Sequence, residues 1–145
     1  MKYFFSLLLS IAIISVATAQ DFKKVETNVY LKKFEDAKTE IDKSMADPKN
    51  QAKAEGYYWK SRIYAALFQN EATRAKYPTA VEDAHAAFQK YAEMDPALAK
   101  VKEKGADGYF DMYATSFGVG INSFKEKKYE AASKEFEKAV VYSDY

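Results

Sequence analysis

One histidine and no cysteine occur in 145 residues, so disulfides, thiolate nucleophiles and thiolate metal sites are closed to this chain. The histidine lies in Glu82-Asp83-Ala84-His85, whose Glu-x-x-His spacing puts a carboxylate and an imidazole on one helix face, as carboxylate-bridged di-iron bundles do. Those centres use the motif twice, so His85 reads as a solvent-side helix residue and no metal is expected. Gly118-Val119-Gly120 lacks the preceding strand and the third glycine of a phosphate-cradling loop and reads as a helix-packing surface. Neighbouring carboxylates such as Glu35 with Asp36, or Glu135 with Glu137, are what 21 acids on amphipathic helices produce, with nothing to desolvate them for proton transfer. No Gly-x-Ser-x-Gly elbow is present. The chain reads as a non-enzyme without catalytic residues or cofactor.

Aromatic residues are the other chemical resource. Twelve Tyr, ten Phe and one Trp make 16% of the chain, enough both to fill a core and to leave stacking surfaces. Charge offers no comparable handle: 22 basic residues face 21 acidic ones, which removes the electrostatic case for nucleic acid. Lys2, an apolar run from Tyr3 to Val16 and Ala17-Thr18-Ala19 have the layout of a secretory signal peptide over residues 1–19. The run, broken by Ser6, Ser10 and Ser15, is shorter than the roughly 20 residues a membrane span needs. The mature chain is expected to start at Gln20 or Asp21, to be soluble in the periplasm or outside the cell, and, lacking cysteine, not to be a lipoprotein.

The elements that position these groups are helical. Phe22, Val25 and Val29 share one stripe of a short first helix, and a second runs from Phe34 to about Met45, closed by Asp47-Pro48. From about Gln51 to Asn70 the pattern is apolar on more than one side, so that helix is flanked twice. A polar loop follows to Tyr77, then a helix from about Pro78 to Met94. Gly105 and Gly108 predict a break, after which helical spacing resumes from Tyr109 and a last helix runs from Tyr129 to about Tyr142. Strand patterning is absent.

Three of these helices carry the same size profile at offsets of three, seven and ten: Phe34/Ala37/Ile41/Ser44, Val81/Ala84/Phe88/Tyr91 and Tyr129/Ala132/Phe136/Ala139. The copies start 47 and 48 residues apart, which points to stacked helical hairpins. Gly120, Phe124, Tyr129, Ala132, Phe136 and Ala139 resemble a tetratricopeptide repeat. Ser61, Tyr64, Ala84, Phe88 and Pro96 match it in the middle unit, and Val25, Phe34, Ala37 and Ile41 in the first. The units are longer than the family's roughly 34 residues, and a HEAT-like repeat is the alternative fold. The predicted fold class is therefore all-α: about three antiparallel hairpins forming an α-solenoid over 20–145, with repeats near 21–48, 51–96 and 99–145. The missing polar cap after the last helix predicts the N-terminal part of a longer protein, with further repeats or oligomer contacts at that end.

The resemblance implies a non-catalytic scaffold that holds a peptide or partner helix in a concave groove lined by the first helix of each hairpin. By position it assigns Phe22, Glu26 and Tyr30, then Tyr58, Trp59 and Arg62, then Phe117, Ile121 and Lys125 to that groove. Carbohydrate binding by stacked tyrosines and Trp59, or a purely structural array, are the competing functions.

Overall fold

Nine helices and no strand make up residues 22–143, which are the residues described by the computed structural model. The expected signal segment lies outside them. In chain order the helices are α1 (Lys23–Tyr30), α2 (Phe34–Met45), α3 (Pro48–Gln51), α4 (Ala54–Gln69), α5 (Glu71–Arg74), α6 (Ala80–Met94), α7 (Ala99–Lys104), α8 (Asp107–Lys125) and α9 (Tyr129–Ser143). No helix among the described residues is long and apolar enough to cross a membrane.

Local chemistry explains most boundaries. Asp47-Pro48 does close α2, but it also opens α3: the Asp47 carboxylate accepts from the Lys49 amide at 2.9 Å while proline takes the first helical position. Pro78 stands in a turn two residues before α6 rather than inside its first turn. The polar stretch after Asn70 contains α5, capped by Asn70 Oδ1 on the Ala72 amide. Of the two glycines expected to break the chain, only Gly105 does, at φ 100°. Gly108 lies within α8.

Packing is centred on α4, which touches α2, α6 and α8 along its length and meets α1 and α7 at its edges. Trp59, Tyr58, Ile63 and Leu67 are consequently buried. The three alanines of the recurrent profile, Ala37, Ala84 and Ala132, are buried too, as is Phe88. Phe136, on the inner stripe of the same profile, is only half-buried.

Glycine is needed at the helix crossings. A Cβ on Gly56 would stand 2.4 Å from the Met45 sulfur and 3.0 Å from the Phe22 ring, and one on Gly108 would lie 2.7 Å from the Arg62 Cα. Gly120 meets the Phe136 ring in the same way, at 2.6 Å.

The turns α1–α2 and α8–α9 are built alike. Lys32 donates its amide to the Val29 carbonyl and Lys33 to that of Asn28; Lys127 and Lys128 do the same to Phe124 and Ser123. Each is a Schellman closure, and each puts lysine (φ 56° and 61°) where glycine is usual. The connector α7 is held at both ends by side chains. The Tyr91 hydroxyl accepts the amides of Lys100 (3.1 Å) and Val101 (3.3 Å) and donates to Asp95 (3.0 Å). Burial pushes the Tyr91 pKa up to about 12, which keeps that donor proton in place. At the other end the Tyr58 hydroxyl donates to the Gly105 carbonyl (2.9 Å) and Arg62 Nη1 to that of Lys104 (3.1 Å).

Candidate functional site

A cleft of about 1020 Å³ opens between α1, α4 and the start of α8. Val29 and Tyr30 supply one wall, with Lys32 from the following turn; Arg62, Ala66 and Gln69 form the floor; Lys104, Asp107, Phe110 and Asp111 form the opposite wall. These residues converge because Gly108 lets α8 settle directly on the Arg62 backbone, which brings the first turns of α8 alongside the middle of α4.

The floor is preorganised. Arg62 is buried, donates to the Tyr58 hydroxyl at 3.1 Å and to the Lys104 carbonyl, and pairs with the Asp107 carboxylate. Its guanidinium also lies 5.9 Å from the ring centres of both Tyr30 and Trp59. Lys104 is paired with Glu26 at 2.7 Å, and that hydrogen bond raises its pKa, so it stays charged. Gln69 donates to the Asp111 carbonyl at 2.7 Å and to Thr115 Oγ1. Burial raises the Asp111 carboxyl pKa, with Asp107 adding to the effect and Arg62 opposing it. Above this polar floor stand two exposed rings, Tyr30 at 55% and Phe110 at 69%. The arrangement offers stacking faces and fixed hydrogen-bonding groups, which is the equipment of a binding cleft.

The residues expected in a groove separate into three groups. Tyr30 and Arg62 line the cleft, and Glu26 sits at its edge through Lys104. Phe22, Tyr58 and Trp59 belong to the core instead. Trp59 is 0% exposed, with its indole N–H on Glu55 Oε1 at 3.3 Å, and so has no face to present to a peptide or a sugar ring. The reason is the enclosure of α4, which its apolar residues on several sides already suggested. Phe117, Ile121 and Lys125 lie farther along α8 and outside the cleft. Phe117 stacks on Tyr113 at 5.8 Å and reaches Phe136 at 5.7 Å.

Phe110, Asp107 and Asp111 escaped sequence reasoning. Positional transfer from the short α1 onto α8 selects the wrong part of a helix of 19 residues, since its first turns, not its middle, flank Arg62. The available signal was Gly108 within an aromatic helix, a mark of close crossing. His85 is outside the cleft, sharing a hydrogen bond with the Tyr142 hydroxyl, and Glu82 is exposed.

No family model matches the chain, and neither the curated proteins nor the solved structures give a match.

Proposed function

We propose that this chain is an exported helical-repeat interaction module that holds an extended segment of a partner polypeptide in the α1/α4/α8 cleft without doing chemistry on it. The observation that carries this is the pairing of two exposed aromatic rings, Tyr30 and Phe110, across a floor whose charged groups are already fixed by protein partners. A partner segment meets little reorganisation there, and aromatic anchors supply most of the contact energy in such sites. The tetratricopeptide-like solenoid is the architecture we favour: the two matching lysine turns and the buried Ala37, Ala84 and Ala132 support it over a HEAT-like arrangement.

A photo-crosslinking residue in place of Phe110 tests the proposal. In the organism's exported fraction it should capture a polypeptide that Tyr30→Ala releases, whereas the same crosslinker at Val119, outside the cleft, should not. Equal capture at both positions would defeat the assignment. Saturable binding of soluble glycans, lost in a Tyr30→Ala/Phe110→Ala double variant, would favour carbohydrate as the ligand.

A further inference from the structure

The ionic groups of the α1/α4/α8 cleft are matched except on the α8 wall. Lys104 is held by Glu26 at 2.7 Å and Glu103 at 3.3 Å, and Arg62 by Asp107. Arg62 Nη1 is already committed to the Tyr58 hydroxyl and the Lys104 carbonyl. Asp111 follows Asp107 by four residues, so the two carboxylates share a face of α8, where like charges repel. The Asp111 backbone carbonyl accepts from Gln69 Nε2 and Thr115 Oγ1, both at 2.7 Å, which fixes the residue in place. Its carboxylate takes no hydrogen bond from any described residue: it is half-buried, Asp107 repels it, and Arg62 acts on it only through space. Lys32, on the opposite wall, is exposed and keeps its water, so its charge needs no partner. The unmet requirement of the cleft is a cation at Asp111.

The surface beside it suits one kind of cation. Phe110 stands on the same wall, 69% exposed, with no cation of the described residues over its ring, whereas Tyr30 across the cleft already has Arg62 at 5.9 Å. A guanidinium is planar and weakly hydrated, and it can stack on a ring while giving two parallel hydrogen bonds to a carboxylate. An ammonium is more strongly hydrated and gives up more on leaving water. An acidic side chain would meet Asp107 and Asp111 as a like charge. Resting on the reading of the cleft as a peptide site, we infer that it selects partner segments carrying an arginine, whose guanidinium stacks on Phe110 and pairs with the Asp111 carboxylate. Lysine serves less well at that place, and aspartate or glutamate is rejected.

The probe is a phage library of random dodecapeptides panned on the full chain. Selected peptides that Tyr30→Ala no longer retains should share an arginine at one position. In the tightest of them, synthesised with a fluorescein label, citrulline in place of that arginine keeps the shape and removes the charge. The exchange should weaken binding at least about tenfold in anisotropy titrations, and lysine should weaken it less. Asp111→Asn should bring the arginine and citrulline peptides to within about twofold of each other. Glu82→Gln, which removes the same charge from an exposed site outside the cleft, should leave them apart. Phe110→Leu, at an exposed position, supplies a second variant and should narrow the difference as well. Cleft-dependent peptides without a basic residue, or an arginine-citrulline difference that survives Asp111→Asn, overturn this inference and leave the peptide cleft standing. If no selected peptide depends on Tyr30, the peptide cleft itself falls and the inference falls with it.

Discussion

Helices α4 and α9 are nearly equal in length, 16 and 15 residues, yet one is enclosed and the other half bare. α4 has neighbours on several sides, while α9 packs chiefly on α8 and reaches the rest of the core mainly through Tyr142, which touches Phe88 and His85. The difference shows where a side chain's identity matters. In α4 almost any change in volume meets a neighbour; in α9 many positions meet water.

That contrast can be broken by substitution. Trp59→Ala should destabilise by about 3–5 kcal/mol in denaturant titrations, whereas Val140→Ala should stay within about 0.5 kcal/mol. Equal costs would mean that the two helices are not differently enclosed. Within α8 itself, Gly108→Ala should cost about 1–3 kcal/mol, because the added methyl strikes the Arg62 backbone. Gly118→Ala, with nothing within 4 Å of the new carbon, should instead stabilise by about 0.5–1 kcal/mol. Gains of similar size are expected from Lys32→Gly and Lys127→Gly, each relieving a left-handed lysine for about 0.5–1 kcal/mol. If α8 and α9 open separately from the rest, the second will raise the global melting temperature less than the first.

The weakest effect concerns pH. Burial, then Lys138, lowers the His85 pKa below 6.5, with Glu135 pulling the other way. The unfolded chain therefore takes up this proton first as pH falls below about 6.5, and the stability contributed by neutral His85 declines from there through its folded value. Melting temperatures at pH 7.5 and 5.5 should differ more for the wild type than for His85→Gln.

Much of the fold was legible from side-chain periodicity. The helix from Phe34 to Met45 has its predicted limits, and the break near Gly105 is real. Periodicity reports which face of a helix is apolar, not how many neighbours cover it, so Trp59, assigned to the groove by position, lies in the core instead. Phe110 shows the opposite limit: on the sequence it is one aromatic among many, and only the seating of Gly108 on Arg62 turns it into a wall of the cleft. The same blindness applies to Gly108 itself, where a residue that weakens a helix in isolation is required by contact between two.

The pinning of α7 has a mechanical consequence. A six-residue helix would not persist alone, yet this one is gripped at its head by Tyr91 and at its tail by Tyr58 and Arg62, all three from α4 and α6. The connector is thus fastened to the middle hairpin, and the left-handed turn at Gly105 that follows it delivers α8 onto Arg62 at the angle its side chains require. One glycine torsion and the contacts of α8 with α4 therefore have to agree, as a hinge and a latch do on a closed door.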